Sequence, residues 1–139
     1  MKTDKKSQVP AGSPDQKRKV FVVEDHSLMR RSIVEAILRE PDLTVCGQAA
    51  DVAEALAILS LQPDIVLTDI ELRSSSGLDL IKVLRARMPA LPIVATTMFD
   101  VRRTERLARA AGASGFVSKQ DGPDHLISTI RKTLGKAAN

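Results

Sequence analysis

The stretch that decides the fold is Pro63-Asp-Ile-Val-Leu-Thr-Asp69, in which a short apolar run ends on a carboxylate. The central part of this stretch, residues 65–67, is apolar and too short for a helix, so it predicts a buried strand. Four more runs of this kind occur along the chain, at residues 20–23, 43–46, 93–95 and 115–117. The sequence therefore predicts five short strands.

Between and after these runs, apolar residues recur at helical spacing. The positions are Ile33 and Ile37; Val52, Leu56 and Leu59; Leu78, Ile81, Leu84 and Met88; and Leu126, Ile130 and Leu134. Residues 101–111 are less periodic but rich in Ala, Leu and Arg, which favour helices, and Gly112 follows them. Strict alternation of strands and helices predicts a (βα)5 unit with parallel strands, right-handed crossovers and helices on both faces.

The composition is that of one globular domain with a charged leader. The chain has 139 residues, of which 43% are hydrophobic and 27% charged. The net charge of +4 lies within residues 1–19, where six basic side chains stand against two acidic ones, and the remainder is neutral. Because that segment lacks apolar content, we predict a flexible basic tail over residues 1–18, a folded domain over 19–135 and a C-terminal tail over 136–139.

The charge pattern and the apolar runs also narrow the expected partners. A neutral folded body argues against direct binding of nucleic acid. The longest apolar run, residues 55–59, has five residues, far below the roughly 20 needed to cross a bilayer. No apolar stretch follows the N-terminal lysines, as it would in a secretory signal, so we expect no membrane partner and a cytoplasmic location.

Polar side chains follow the predicted strands at their carboxyl ends. Glu24 and Asp25 follow the first strand and Asp69 the third, while Thr97 and Lys119 follow the fourth and the fifth. The carboxyl ends of parallel strands share one edge of the sheet, and ligands bind there where the strand order reverses. We therefore expect these five residues to meet.

The chemistry of this set favours a metal and a phosphoryl group. Three carboxylates at one edge repel one another unless protons or a cation neutralise them, and hard oxygen ligands with room for water suit Mg²⁺. Lys119 and Thr97 add an ammonium and a hydroxyl for phosphoryl oxygens, and Asp69 is the expected nucleophile. No glycine-rich phosphate loop and no zinc-ligand spacing competes with this site in the sequence.

Five segments in order resemble the receiver domain of bacterial two-component response regulators, over residues 19–135. They are Val22-Val-Glu-Asp-His26, Pro63-Asp-Ile-Val-Leu-Thr-Asp69, Gly77, Leu91-Pro-Ile-Val-Ala-Thr-Thr-Met98 and Gly112-Ala-Ser-Gly-Phe-Val-Ser-Lys119. Residues 39–45 and 112–115 are most similar to LuxR-type receivers, which precede a helix-turn-helix DNA-binding domain that we do not expect in this chain. The resemblance implies a flavodoxin-like, doubly wound α/β fold with strand order 2-1-3-4-5.

The resemblance further implies a phosphorelay function centred on Asp69. This residue would accept a phosphoryl group from a phosphohistidine. Mg²⁺ would be held by Asp25, Asp69 and the carbonyl group of Glu71, with Glu24 acting through water.

The resemblance also implies a two-state response. Thr97 and Lys119 would bind the phosphoryl oxygens, and Thr97 with Phe116 would form the switch. Such a domain promotes only its own phosphorylation and dephosphorylation, so we do not expect an enzyme that acts on other substrates.

The implied partners are a phosphoryl donor and a downstream protein. The donor would be a sensor histidine kinase or a histidine phosphotransfer protein, and the fourth helix, fifth strand and fifth helix would engage the downstream protein. A phosphorylation-dependent homodimer is a further expectation. Two residues depart from the family pattern: Arg73 stands where a proline is usual, and Gln120 where a cis-proline often follows the lysine. The second departure leaves the conformation of the Lys119–Gln120 bond open.

Two alternative functions stay open at this point. Glu24 with Asp69-Ile-Glu71 also resembles the metal-binding pattern of a magnesium-dependent nuclease or phosphatase, which leaves Lys119 and Thr97 unexplained. The chain would otherwise be the receiver fragment of a DNA-binding transcription factor. Multiple-turnover cleavage of a nucleic acid or a phosphomonoester would favour the first, and a reading frame ending just after Asn139 would exclude the second.

Overall fold

Five parallel strands form one sheet in the computed structural model, which describes residues 16–138. The strands are β1 (Arg18–Val23), β2 (Leu43–Ala49), β3 (Ile65–Asp69), β4 (Ile93–Thr97) and β5 (Gly115–Ser118). Their order is β2-β1-β3-β4-β5, and every neighbouring pair is parallel. The predicted fold class and strand order are confirmed.

Helices connect the strands as the periodicity predicts. They are α1 (Ser27–Leu38), α2 in two short segments (Val52–Ala55 and Ile58–Leu61), α3 (Gly77–Arg87), α4 (Val101–Ala111) and α5 (Pro123–Ala138). Side-chain oxygens cap three of them: Asp51 accepts from the amide of Glu54 in α2, Ser76 from that of Asp79 and Asp100 from that of Arg103. The α4 helix ends at Gly112, whose φ of 124° is a conformation that glycine adopts without strain.

The sheet is covered on both faces by apolar helix surfaces. Successive residues of a strand point to opposite faces, so Val20 and Val22 pack towards α1 and α5, whereas Phe21 and Val23 pack towards α2 and α3. All four are buried. Because both faces are closed, the carboxyl edge of the sheet is where chemically reactive side chains can gather.

Four strands run past the apolar stretches that predict them. In β3, β4 and β5 the added residues are polar and buried, namely Thr68, Asp69, Thr96, Thr97 and Ser118. The ladder of backbone hydrogen bonds does not depend on side-chain polarity, and it continues to the edge of the site. The sequence-based strand ends are therefore too early by one to three residues.

The second helix differs from the expectation of one continuous helix with Val52, Leu56 and Leu59 on its inner face. Leu56 is 44% exposed, and the fully buried positions are Ala55 and Ile58. The amide of Leu59 donates to the carbonyl of Leu56 at 3.1 Å, which marks a turn of three-residue spacing between the two segments. That winding places residues three positions apart, rather than four, on the same side.

The predicted tails fall largely at the limits of the described residues. Residues 1–15 of the expected basic tail and Asn139 lie outside them. β1 begins at Arg18, and α5 ends at Ala138. Within residues 16–138, no helix is long and apolar enough to cross a membrane.

Gly77, at the start of α3, lies against the backbone that carries Asp69. A Cβ atom at this position would overlap the carbonyl oxygen of Asp69 and lie 2.8 Å from the Cα atom of Ile70. Backbone cannot give way as a flexible side chain can. We expect Gly77→Ala to lower the free energy of unfolding by roughly 2 kcal/mol, measured by urea denaturation, because the added atom overpacks a buried turn.

The chain offers a matched control for this substitution. Gly135 lies within α5 with open space around its Cα atom. Gly135→Ala is expected to raise the unfolding free energy by about 0.5–1 kcal/mol, because alanine loses less backbone entropy in a helix. Equal stability of Gly77→Ala and the wild type would show that the turn at Asp69 is not tightly packed.

Candidate functional site

The carboxyl edge of the sheet gathers the five residues singled out from the sequence. Asp69 is the last residue of β3 and Thr97 the last of β4, while Glu24 follows β1 and Lys119 follows β5. Because β3 lies between β1 and β4 in the sheet, Asp69 occupies the middle of the row. Asp25 joins Glu24 and Asp69 in a compact acidic cluster.

Lys119 lies between two buried carboxylates. Its Nζ atom is 2.6 Å from Asp69 Oδ2 and forms a second ion pair with Glu24 Oε1. Burial alone lowers the pKa of the ammonium, but the hydrogen bonds to Asp69 and Glu24 outweigh that effect and leave the pKa raised. Lys119 is therefore a fixed positive charge beside Asp69.

The acidic cluster carries more negative charge than Lys119 neutralises. One carboxylate oxygen each from Glu24, Asp25 and Asp69 lies within 4.8 Å of the others. Burial raises the pKa of Glu24, and the charge of Asp69 adds to that effect against the opposing influence of Lys119. Hard oxygen ligands in this arrangement are a donor set that fits a divalent cation.

Backbone donors and two arginines fix the acidic residues that follow β1. Glu24 Oε2 accepts from the amide of His26 at 3.1 Å, and Arg30 Nη1 donates to the backbone carbonyl of Glu24 at 2.6 Å. Asp25 Oδ2 accepts from the amide of Arg73 at 2.5 Å. The Nε atom of Arg73 lies 3.9 Å from the same oxygen. The residue that replaces the family's usual proline thus contacts the edge of the acidic cluster.

Thr97 is engaged in hydrogen bonds on both sides of its hydroxyl group. The side chain is fully buried, and Oγ1 lies 2.9 Å from each carboxylate oxygen of Glu71 and accepts from the amide of Phe99 at 3.1 Å. Partial burial raises the pKa of Glu71, although the Thr97 hydrogen bond opposes the shift. The sequence gives no signal for this contact, because Glu71 lies in an irregular loop where spacing does not predict direction.

Asp69 receives a donor on each of its two carboxylate oxygens. The amide of Glu71 donates to Oδ1 at 3.0 Å, and Lys119 donates to Oδ2. Phe116 is half-buried on β5, where it pairs with Ala95 and packs against the apolar cluster beneath α3 and α4. The expected switch aromatic therefore lies on the strand next to the one that ends in Thr97.

The loop after Lys119 is closed by a residue that departs from the family pattern. The Nε2 atom of Gln120 donates to the backbone carbonyl of Met98 at 3.0 Å, which ties the loop after β5 to the loop after β4. No peptide bond within the described residues is cis, so the Lys119–Gln120 bond is trans. A short 3-10 helix, Lys119–Asp121, then leads into α5.

The chain matches the model of a known protein family. The family model for the response regulator receiver domain matches residues 20–131. The chain belongs to the receiver family. The prediction that it is a two-component response regulator domain is confirmed.

Individual relatives agree with this assignment of the receiver domain. The chain is 38% identical over 102 residues to the DNA-binding transcriptional activator DevR/DosR of Mycobacterium tuberculosis, covering 73% of this chain and 47% of that protein. It is 33% identical over 121 residues to a protein-glutamate methylesterase/protein-glutamine glutaminase of Pyrococcus horikoshii, covering 85% of this chain and 32% of that protein.

A solved structure shows the same fold. The two-component response regulator of the LuxR family from Aurantimonas sp. SI85-9A1 superposes with a TM-score of 0.83 at 30% identity, covering 87% of each chain. The chain spans about half the length, or less, of the curated relatives it matches. The nuclease or phosphatase alternative is not favoured by these likenesses.

Proposed function

We propose that Asp69 of this receiver domain accepts a phosphoryl group from a phosphohistidine on a histidine kinase or a histidine phosphotransfer protein. The observation that carries the proposal is the ion pair between Lys119 and Asp69 beside two further carboxylates. A carboxylate oxygen of Asp69 would attack phosphorus as the bond from phosphorus to the histidine nitrogen breaks, and that electron pair would return to the imidazole. Lys119 would balance the negative charge on the phosphoryl oxygens.

The acidic cluster supports Mg²⁺ as the cofactor of this step. Asp25 and Asp69 would bind the ion directly together with the backbone carbonyl of Glu71, and Glu24 would act through water. Bound Mg²⁺ would supply positive charge that polarises the phosphoryl oxygens. In addition, it would relieve the mutual repulsion of the carboxylates, which burial intensifies at Glu24.

Thr97 and Phe116 are proposed as the pair that converts phosphorylation into a change of shape. The Thr97 hydroxyl is fully buried at the end of the strand next to Asp69, where it would donate to a phosphoryl oxygen. Phe116 is only half-buried, and we propose that its ring changes rotamer on phosphorylation. Together they would bias a two-state arrangement of α4, β5 and α5.

The α4 helix supports the proposal that this face engages a downstream protein. Arg102, Arg103 and Arg106 are exposed, and no acidic side chain in the described part of the chain lies within ion-pair distance of them. Phe99, just before the helix, is 68% exposed. Arginine and aromatic side chains are enriched at protein interfaces.

We also propose a phosphorylation-dependent homodimer, and we propose that the receiver domain binds neither nucleic acid nor membrane directly. The cytoplasmic location expected from the sequence stays a prediction, as do the domain limits at residues 19 and 135.

Phosphorylation by a small donor tests the proposed function. The protein is incubated with acetyl phosphate and either Mg²⁺ or a chelator, and its intact mass is measured. We expect the mass of one added phosphoryl group with Mg²⁺, removal of that group by hydroxylamine, and no adduct with the chelator. An unmodified mass in the presence of Mg²⁺ would contradict the proposal.

The same sample separates a phosphoacceptor from an enzyme with external substrates. Some relatives carry enzymatic activity, as the protein-glutamate methylesterase does. We propose that this receiver domain turns over no substrate beyond its own phosphoryl group. Repeated turnover of p-nitrophenyl phosphate or an oligonucleotide, in excess over protein, would instead identify the nuclease or phosphatase.

A second candidate, the receiver part of a DNA-binding regulator, is favoured by one observation. The chain matches 47% of a relative that is named a DNA-binding transcriptional activator. The two cases differ outside the receiver domain and not within it. Sequencing the reading frame past codon 139 distinguishes them.

Asp25→Ala is expected to weaken Mg²⁺ binding before any phosphoryl donor is present. Asp25 is the most exposed of the three clustered carboxylates, with 13% of its side chain exposed, so it faces the side from which an ion enters. We expect the affinity for Mg²⁺ in a calorimetric titration to fall by at least roughly tenfold. Substitution of a residue that only supports a metal ligand already costs about that much. Asp124→Ala, an exposed carboxylate at the start of α5, is the control and should leave affinity unchanged. Retained affinity in Asp25→Ala would place the metal elsewhere.

A further inference from the structure

The Thr97 hydroxyl joins two loops that leave the site in different directions. Its oxygen accepts from the amide of Phe99, in the loop that leads into α4. Its proton points to Glu71, in the loop between β3 and α3, whose two carboxylate oxygens are both at 2.9 Å. The carboxylate of Glu71 therefore sets the orientation of this hydroxyl group.

A hydroxyl group has one proton to donate, so two acceptors compete for the proton of Thr97. The Glu71 carboxylate and a phosphoryl group are both acceptors, so Thr97 can serve only one of them fully at a time. The contact is charge-assisted, and charge-assisted hydrogen bonds are stronger than neutral ones. In the unphosphorylated protein the proton is committed to Glu71.

We infer that Glu71 is a positioning residue that holds Thr97, and through it the loop at Phe99, in the unphosphorylated arrangement. The inference rests on the proposed function, since the competitor for the hydroxyl is the phosphoryl group on Asp69. Glu71 acts through its side-chain carboxylate. Its amide donates to Asp69 Oδ1 and belongs to the backbone, so substitutions of the side chain leave that donor in place.

The exposure of Glu71 means that its hydrogen bond with Thr97 can be removed by substitution without disturbing the core. The residue is exposed, whereas Thr97 is fully buried. Truncating Glu71 therefore removes an acceptor without making a buried cavity. Glutamine in its place keeps an acceptor oxygen of the same reach but removes the charge, which separates the hydrogen bond from simple electrostatic repulsion of the phosphoryl group.

Amide hydrogen exchange in the absence of donor and Mg²⁺ tests the hold directly. The Phe99 amide is expected to exchange about three- to tenfold faster in Glu71→Ala than in the wild type, because its acceptor, the Thr97 oxygen, is no longer fixed. Glu71→Gln should restore most of the protection. The amide of Leu80, in α3, is the internal reference and should not change. Unchanged exchange of Phe99 in Glu71→Ala would overturn the inference.

A second measurement compares the unphosphorylated variants with the wild type in both states. The Phe99 and Phe116 amide resonances are read by NMR, and intact mass gives the phosphorylated fraction of the wild-type sample. In Glu71→Ala, the unphosphorylated resonances should already lie displaced towards the phosphorylated wild-type positions, and in Glu71→Gln they should lie near the unphosphorylated ones. Displacement of equal size in both variants would assign the effect to the charge of Glu71, and it would overturn the inference that the hydrogen bond positions Thr97. Absence of any adduct in the wild type would refute the proposed function. The exchange result would still show whether Glu71 holds Thr97 in place.

Discussion

Asp69→Asn is expected to abolish phosphoryl uptake completely. Asparagine keeps the size of the side chain, but its amide nitrogen is not a nucleophile and its oxygen carries no charge. Asp69 is also the carboxylate that is central in the row and directly paired with Lys119, so no neighbour has the same combination of position and partner. Incubation with acetyl phosphate and Mg²⁺ should give one adduct in the wild type and none in the variant, by intact mass.

Asp79→Asn is the matched control for this experiment. Asp79 is exposed in the first turn of α3 and is not a member of the acidic cluster, so its substitution should leave the adduct unchanged. A full adduct in Asp69→Asn would mean that a different residue accepts the phosphoryl group. A lost adduct in both variants would mean that the loss reports damage to the fold.

Lys119→Met is expected to destabilise the protein strongly when Mg²⁺ is absent. The substitution leaves Glu24 and Asp69 buried without their cation, and breaking a buried pair costs about 3–5 kcal/mol. The cluster opens to solvent beside Asp25, so we expect a loss of roughly 2–3 kcal/mol at pH 7 in chelator, by urea denaturation. Adding Mg²⁺ should recover part of it, because the ion brings positive charge back to the same carboxylates.

The loss in Lys119→Met should shrink as the pH falls. Burial already raises the pKa of Glu24 in the wild type, and removal of the ammonium takes away an influence that lowers it. The folded variant then binds a proton in a pH range where the unfolded chain has released it, so stability increases on acidification towards the ordinary glutamate pKa. Lys132→Met, at an exposed site on α5, should change stability by less than about 0.5 kcal/mol. Equal stability of Lys119→Met and the wild type at pH 7 in chelator would show that the ion pairs of Lys119 do not stabilise the fold.

The sequence predicts the site because the strands and the reactive residues share one pattern. Four of the five apolar runs are followed within two residues by a side chain of the site, as Asp69 follows residues 65–67, and parallel strands bring these ends to one edge. The order of the strands, in contrast to the site, does not follow from this pattern. Alternation of strand and helix is compatible with several orders, so β2-β1-β3-β4-β5 came from the resemblance to receiver domains.

The second helix shows where periodicity fails. Residues 55–59 are all apolar, so helical spacing selects no single face among them. The turn between the two segments of α2 then directs Ala55 and Ile58, instead of Leu56, to the sheet. Packing against the sheet, which is a tertiary effect, decides between faces that the local pattern leaves equivalent.

The sequence does not predict the contacts of Glu71 and Arg73, for another reason. Both residues lie in the loop between β3 and α3, where the backbone conformation and not a repeating spacing sets the direction of each side chain. The sequence supplied Arg73 as a departure from the family pattern. Only the structure shows that its amide binds Asp25 and that Glu71 holds Thr97.

The position of the phosphoryl group, which we propose to be Asp69, can be measured directly. Borohydride reduces an aspartyl phosphate to homoserine, so reduction of the phosphorylated wild type followed by peptide mapping reports the modified position. We expect homoserine at position 69 and unmodified Glu24, Asp25 and Glu71. Reduction at any of those three positions, with Asp69 intact, would contradict the assignment of the acceptor.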